Sequence, residues 1–478
     1  MSIRRLLFCL LWLGGYFSLS AQVGAAITDP LVRWGLLVDR QQIVGYYCVT
    51  ARADERQEVN IFTVTLYSSS LQPVGSKVYP ADKRLAVHDV AYNGTHLGVL
   101  LYGEEGEVSR LDVLDAEAKT VGSYPLAGQY PDADGNLFAA NDGFLAVNSF
   151  PVIPGRTDLA KHYLIEKIVT EGEGKGWTRR FGTDRSDVNL AIDSEELRAS
   201  DDLVLRLWYK RGNKVTNEVH FIDPATGGNR FVHSLPEQKI KRAAGYLAAA
   251  RVDGGYQVLR VNAEYLRRGV LVPNTLDIIT YDAAGQLVAE QPISVRALVA
   301  AELRDAGLAP LRPNTQFIYR VGLITPSGSF SLVAEPYARV GKGHAYDTPY
   351  VLALDRGGRL LDFAAVTREP LVVPFVVSDL NFMQQLRQHG GPFCHALSYA
   401  REGDNYHYLL DREYRATGVT YHGINQLHFD GEQLRHEYIP LKAPDLVRLF
   451  PARAGYLGVL EAVLADSRIV PRLEKLTE

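Results

Sequence analysis

The sequence predicts an all-β protein, and within that class a β-propeller with seven blades favoured over eight. Hairpin signatures repeat along the chain, with turns spaced by roughly 50 to 75 residues, a range typical of propellers and other repeat arrays. Two further strand-like segments precede most of the hairpins. Four strands per repeat is the composition of a propeller blade, so the repeats are predicted to be its blades.

Seven segments have the pattern of a β-hairpin, usually with an Asp that opens the turn and a Gly that accepts a positive φ. Their flanks are rich in Val, Ile, Leu, Phe and Tyr, the residues favoured in strands. The segments are Ile61–Tyr79, Arg110–Tyr124, His162–Phe181, Glu218–Leu235, Leu276–Ile293, Tyr350–Val366 and Ile424–Leu441.

Strand-like pairs or single strands fill the intervals between these hairpins. Apolar and polar residues alternate within Asn60–Tyr67, as expected for a half-buried strand. The chain ends with two more such segments, Tyr456–Val463 and Ile469–Leu476. We expect them to pair with the first strand, Leu31–Val38, so that N- and C-terminal strands together close the propeller and remove its sheet edges.

Helices are predicted only as short insertions, at Val295–Ala306 and Leu380–Gln388, because only these segments have clear helical periodicity. The alternative architecture is a pair of β-sandwich domains. No segment rich in Pro, Gly or Ser marks a boundary between two such domains. The sequence therefore favours one β-propeller-like domain over residues 22–478.

Composition excludes several classes of protein. The chain has 478 residues, 46% of them hydrophobic, which excludes a disordered tail or a collagen-like fibre. The net charge of -4 offers no basic field for a phosphate backbone, so nucleic acid is excluded as the expected partner.

The first 21 residues have the layout of a secretory signal peptide. Arg4 and Arg5 precede an apolar segment, Leu6–Phe17, which small residues follow. We expect cleavage after Ser20 or Ala21, with the Ala25 region as a second choice, and a secreted or periplasmic protein. No later segment has about 18 uninterrupted apolar residues, so no membrane span is expected after cleavage.

Two cysteines, Cys48 and Cys394, follow the signal peptide, too few for a disulfide framework. They lie in the first and the last full repeat, which are neighbours in a closed ring. A disulfide between them is therefore an alternative to two free thiols, and it requires their Cα atoms to lie within about 7 Å.

Four short segments carry a resemblance to known sequences: Gly35-Leu36-Leu37, Val44-Gly45-Tyr46-Tyr47, Tyr92-Asn93-Gly94 and Arg472-Leu473-Glu474-Lys475-Leu476. They resemble a family of uncharacterised secreted bacterial proteins with a β-propeller-like repeat architecture. The resemblance implies an exported protein with a repeated β architecture. It implies no catalytic residue, because the family has no assigned activity.

Histidines and tyrosines concentrate near the C-terminus and provide the candidate ligand-binding residues. Six of the 12 histidines lie between His389 and His436, and the densest group of tyrosines lies beside them. Tyrosine combines a flat apolar ring with a hydrogen-bonding tip, which suits sugars and peptides. The candidates are Tyr406, His407, Tyr408, Tyr421, His422 and His428.

No metal site or cofactor is predicted. The histidine spacing matches no compact metal motif, so ordinary strand histidines are favoured over ligands. Asp132, Asp134 and Asn136 are spaced like the start of a calcium loop. That loop also needs Gly at its sixth and Glu at its twelfth position, where Leu137 and Gly143 stand, so a plain turn is favoured.

The sequence favours a binding or scaffold module over an enzyme. It contains no Gly-x-Ser-x-Gly elbow, no His-Glu-x-x-His motif and no phosphate-binding loop. We therefore expect a monomeric module that binds a protein, peptide or glycan outside the cytoplasm. The alternative is an extracellular polysaccharide hydrolase or lyase, since catalytic carboxylates meet in space and need no sequence motif.

Overall fold

A computed structural model describes most of the chain after the predicted signal peptide. The described residues are 22–23, 27, 31–39, 42–54, 59–79, 85–103, 109–126, 136–151, 161–172, 175–182, 188–193, 202–211, 214–235, 238–239, 245–265, 271–340, 343–366, 371–373, 394–415, 418–441, 446–463 and 468–476. They contain thirty-five strands and one helix, arranged as a β-propeller.

The propeller has eight blades, so the favoured count of seven is one short. Each blade is a sheet of four main strands, and we number the sheets in chain order. The two-sandwich alternative is wrong, because the strands form eight small sheets. All seven predicted hairpins are present as the third and fourth main strands of a blade.

One compact unit contains the described part of residues 13–192, 223–229 and 445–478, with four of the sheets. Sheet 1 has β2 (Leu31–Asp39), β3 (Gln42–Asp54), β4 (Val59–Ser68) and β5 (Pro73–Tyr79). Sheet 2 has β6 (Leu85–Tyr92), β7 (Leu97–Gly103), β8 (Arg110–Leu114) and β9 (Thr120–Pro125). Sheet 3 has β10 (Asn136–Ala140), β11 (Gly143–Pro151), β12 (Lys161–Val169) and β13 (Thr178–Phe181). Sheet 8 has β33 (Leu446–Pro451), β34 (Tyr456–Val463), β35 (Arg468–Lys475) and β1 (Gln22–Val23).

The other unit contains the described part of residues 193–222 and 230–444. Sheet 4 has β14 (Val188–Asp193), β15 (Leu203–Arg211), β16 (Lys214–Ile222) and β17 (Asn229–Ser234), and the short β18 (Gln238–Lys239) pairs with β16. Sheet 5 has β19 (Gly245–Val252), β20 (Gly255–Tyr265), β21 (Leu271–Asp282) and β22 (Leu287–Ile293). Sheet 6 has β23 (Gln316–Ile324), β24 (Phe330–Val340), β26 (Tyr350–Leu354) and β27 (Leu360–Ala365), extended by β25 (Gly343–Tyr346) and β28 (Leu371–Val373). Sheet 7 has β29 (His395–Arg401), β30 (Asp404–Arg415), β31 (Gly418–Phe429) and β32 (Leu434–Pro440).

The terminal strands share one sheet, as predicted, but with different partners. Gln22 and Val23 of β1 pair with Leu473 and Arg472 of β35. Strand β2 instead begins sheet 1, so the prediction that it closes the propeller is wrong. The sequence could not identify β1, because a strand of two residues is too short to show alternation.

Asp side chains shape the hairpin turns as the sequence predicts. In sheet 5, Asp282 Oδ1 accepts hydrogen bonds from the backbone N–H groups of Ala284, at 2.9 Å, and Gln286, at 2.8 Å. Gly285 completes this turn with a φ of 78°. The equivalent aspartates of four other turns make the same type of contact, namely Asp115, Asp223, Asp355 and Asp430.

β-Bulges interrupt the pairing of the first two strands in five of the sheets, and they were not predicted from the sequence. The register shifts lie between Leu31 and Arg33, Val87 and Asp89, Tyr246 and Ala248, Tyr319 and Val321, and His395 and Leu397. A bulge re-aims the side chains beside it. Next to one of them, the buried Asp89 carboxylate accepts the N–H of Leu137 at 2.7 Å and pairs with Arg33, which links three sheets of its unit.

The single described helix, α1 (Val295–Asp305), confirms the first predicted insertion. Ser294 caps it by accepting a hydrogen bond from the N–H of Ala297, and Val295, Val299 and Leu303 are buried against sheets 5 and 6. The predicted helix at Leu380–Gln388 lies outside the described residues. No helix in the described part of the chain is long and apolar enough to cross a membrane.

Candidate functional site

One face of sheet 7 carries the candidate site, and the strand register brings its residues together. Tyr399 of β29 lies opposite Tyr406 of β30, which lies opposite His428 of β31. Successive strand residues point to opposite faces, so residues opposite each other across strands share a face. These three rings therefore form a row across the sheet, which we call the aromatic row.

The rings of the aromatic row are stacked on one another. The ring centroids of Tyr399 and Tyr406 lie 5.2 Å apart with planes inclined by 20°. Those of Tyr406 and His428 lie 4.5 Å apart and are nearly parallel, at 3°. All three side chains are half-buried, and Tyr406 lies between the other two rings.

Charged residues lie beside the aromatic row where β29 turns into β30. Asp404 Oδ2 lies 2.6 Å from His428 Nε2, with the two side chains 32% and 20% exposed. Arg401 Nε lies 3.6 Å from a carboxylate oxygen of Glu402, whose side chain is 59% exposed. The row is thus bordered by carboxylates that solvent reaches.

A further tyrosine, Tyr408, lies behind the aromatic row on the same face of the sheet. Tyr408 is fully buried, and its hydroxyl lies 3.2 Å from that of Tyr399. Burial and the neighbouring tyrosines hold the pKa of Tyr408 well above its ordinary value. Burial, followed by the charge of Asp404, raises the pKa of Tyr406 to about 12, so both phenols stay neutral at physiological pH. They can donate hydrogen bonds but do not act as anionic bases there.

The opposite face of sheet 7 holds a buried chain of hydroxyl and imidazole groups. His407 and Ser331 are fully buried, and His407 Nε2 lies 2.7 Å from Ser331 Oγ. His407 Nδ1 lies 2.7 Å from Ser398 Oγ, which in turn lies 2.9 Å from His395 Nε2. Because Ser331 belongs to sheet 6, the chain joins two neighbouring blades of the same unit.

One end of this chain has a fixed donor. The side-chain amide of Asn405 donates to Ser331 Oγ and to the carbonyl of Leu323, both at 3.0 Å. In one arrangement that fits this donor, the Ser331 hydroxyl donates to His407 Nε2 and His407 Nδ1–H donates to Ser398. This arrangement requires neutral His407, in agreement with burial that lowers its pKa to about 3. The chain is a structural link, since its central groups are closed to solvent.

Glu335 anchors the start of sheet 7 to sheet 6. Its buried carboxylate accepts the backbone N–H groups of Cys394, at 3.1 Å, and His395, at 3.0 Å. Arg320 lies 3.9 Å from the same carboxylate. Burial, followed by the charges of Arg320 and His407, holds the pKa of His395 well below its ordinary value, so this imidazole is also neutral.

The six predicted ligand-binding residues therefore separate into different environments. Tyr406 and His428 lie together in the aromatic row, and Tyr408 lies buried behind it. His407 points to the opposite face and into the core. His422 is exposed on β31, at the other end of the sheet. The backbone of Tyr421 is in β31, but its side chain lies outside the described residues.

The calcium-like segment lies largely outside the described residues. Asp132 and Asp134 fall there, whereas Asn136 opens β10 and pairs with Val147, with its side chain not described. Among the side chains that are described, no three His, Cys, Asp or Glu residues are grouped so that they could hold a metal ion.

A second polar cluster, in sheets 4 and 5, was not predicted. The buried His233 ring hydrogen-bonds through Nδ1 to the Tyr281 hydroxyl, and burial followed by the charge of Arg260 lowers its pKa to about 4. Arg260 Nε donates to Asp277 at 2.9 Å, and a second nitrogen donates to Glu290 at 2.7 Å. Because both acids pair with Arg260, the cluster offers no unpaired guanidinium group. In the sequence, only the alternation of polar and apolar residues along each strand bears on this cluster. That alternation shows which side chains share a face but not which residues of other strands they contact.

The two cysteines are free thiols, so the disulfide alternative is not supported. Cys48 is 1% exposed and Cys394 is 2% exposed. Burial raises the pKa of the Cys48 thiol to about 12, which makes it unreactive as a nucleophile.

No protein-family profile and no curated protein matches the chain. A structure from a study of two prolyl endopeptidases is 12% identical, with a TM-score of 0.43, over 98% of this chain and 55% of that one, so the chain spans about half its length. The β-propeller domain of Cps50 (Swd1) from Myceliophteria thermophila is 10% identical, with a TM-score of 0.32, over 94% of this chain and 99% of that one. The β-propeller domain of Nup133 from Vanderwaltozyma polyspora is 8% identical, with a TM-score of 0.39, over 92% and 99%. At these levels the similarities carry no argument about function.

Proposed function

We propose that the protein is an exported β-propeller that acts as a binding or scaffold module for a protein, peptide or glycan. The signal-like segment that ends near Ala21 supports export. The aromatic row supports binding, because its half-buried tyrosine and histidine rings lie beside the solvent-accessible carboxylates of Glu402 and Asp404. Aromatic residues with polar tips are enriched where proteins bind partners.

The site is tested by screening the purified mature protein against peptide and glycan arrays. Tyr406→Ala should weaken binding of any true ligand at least tenfold, since removal of an interface tyrosine often costs about 2 kcal/mol. Tyr438→Ala is the matched control, because Tyr438 is 46% exposed on the same sheet and is not part of the aromatic row. Ligands that bind both variants and the wild type equally would exclude this site.

One observation favours the second candidate function, an extracellular polysaccharide hydrolase or lyase. When His428 Nε2–H donates to Asp404, at 2.6 Å, the carboxylate orients the imidazole and leaves Nδ1 as a proton acceptor beside Tyr406. Product release from a polysaccharide, abolished in His428→Ala and strongly reduced in Asp404→Asn, would establish this function. Binding without product from any polysaccharide would leave the binding module.

A further inference from the structure

The turn end of sheet 7 is richer in carboxylates than in cations. We use this name for the two turns at residues 401–404 and 430–433, next to the aromatic row, together with the adjoining Arg435. They carry four carboxylates and two guanidinium groups, from Glu402, Asp404, Asp430, Glu432, Arg401 and Arg435. The carboxylates therefore outnumber the guanidinium groups by two.

Local contacts neutralise only part of this charge. Arg435 lies 3.2 Å from Asp430, and Arg401 lies 3.6 Å from Glu402. Glu432 uses its backbone N–H to donate to Asp430, and within the described part of the chain its exposed carboxylate has neither a hydrogen bond nor an ion pair. The aromatic rings form a side of low polarity next to these carboxylates. Carboxylates beside such a side attract a cation more strongly than the same carboxylates surrounded by water.

We propose that the partner of the aromatic row is a peptide segment that contributes Arg or Lys side chains to the turn end. This inference rests on the function proposed above. A guanidinium pairs with a carboxylate through two hydrogen bonds and also packs against aromatic rings. The excess of carboxylates repels uronate-rich polysaccharides and nucleic acids. Neutral glycans gain nothing from it.

The experiment selects ligands from a displayed library of random peptides of about twelve residues, with the full mature protein as bait. Selected peptides are then synthesised and titrated against the wild type, Tyr406→Ala and Glu432→Gln. Glu432 is exposed and takes no part in the turn through its side chain, so its replacement leaves the fold intact. Glu117→Gln is the charge control, at a carboxylate that is 62% exposed in a turn of sheet 2.

We expect selected peptides to contain Arg or Lys and to bind Glu432→Gln about fivefold more weakly, the effect of one charge pair at about 4 Å in water. Glu117→Gln should bind within about twofold of the wild type. Peptides without Arg or Lys that still lose affinity in Tyr406→Ala would overturn the basic partner and leave the binding site standing. Peptides that bind Tyr406→Ala as well as the wild type would overturn both, and a library that yields no binder would overturn the peptide partner.

Discussion

Acid should destabilise the fold through histidines that are buried as neutral rings, and His407 is the clearest case. Its side chain is fully buried, and burial lowers its pKa from 6.5 to about 3. In the unfolded chain the pKa returns to about 6.5. Between these values the unfolded state binds a proton that the folded state does not, so the stability contributed by His407 is present above about pH 6.5 and is lost as the pH falls.

The size of the effect follows from the two pKa values. At pH 5 the unfolded histidine is about 1.5 pH units below its pKa, and each unit corresponds to about 1.4 kcal/mol. His407 should therefore remove about 2 kcal/mol of unfolding free energy between about pH 8 and pH 5. Because pH 5 lies well above the folded pKa of about 3, this loss depends almost entirely on the unfolded value.

Urea unfolding followed by tryptophan fluorescence at both pH values measures the effect in the wild type and in His407→Gln. The variant should lose about 1–3 kcal/mol at pH 8, because Ser331 and Ser398 lose a partner, but its further loss at pH 5 should be about 2 kcal/mol smaller than that of the wild type. Asn405→Ala is the control: it breaks the same buried chain without removing the titrating ring, so its pH dependence should match the wild type. The same pH dependence in His407→Gln and the wild type would refute the reasoning.

Three further predictions concern the backbone, the thiols and the N-terminus. Glu402→Asn should stabilise the fold by about 1 kcal/mol and so raise the melting temperature. The reason is that exposed Glu402 has a φ of 54° before Gly403, in a tight hairpin turn where Asn is favoured. A lower melting temperature would contradict this. Cys48 and Cys394 should resist a thiol reagent in the folded protein, and two thiols should titrate after denaturation without reductant; fewer than two would indicate a disulfide. Mass spectrometry should place the mature N-terminus at Ala21 or Gln22, because later cleavage would remove β1 from sheet 8, and an N-terminus beyond Val23 would argue against the strand pairing.

The sequence predicted the fold well because hairpins are local. The Asp282 turn shows why: side chain, turn and glycine lie within a few residues of one another, so their chemistry is visible in the sequence. The blade count failed at the chain ends, where β35 pairs with a two-residue strand more than 400 positions away. No local pattern encodes such a partner.

The candidate site was predicted only in part, for a similar reason. Tyr406 and His428 were named because His and Tyr concentrate in this part of the chain, and the register of sheet 7 does bring them together. His407, next to Tyr406 in sequence, points to the other face and serves the core. Asp404 and Tyr399 were missed as members of the site, because their roles depend on cross-strand contacts that only the register reveals.

The central claim, that partners bind at the aromatic row, is tested most directly by one ratio. It is the dissociation constant of a ligand for Tyr406→Ala divided by that for the wild type, measured by isothermal titration with any ligand obtained from the arrays. Our account predicts a ratio of at least about ten, while Tyr438→Ala stays within about twofold. A ratio near one for Tyr406→Ala would contradict the claim and move the binding site away from sheet 7.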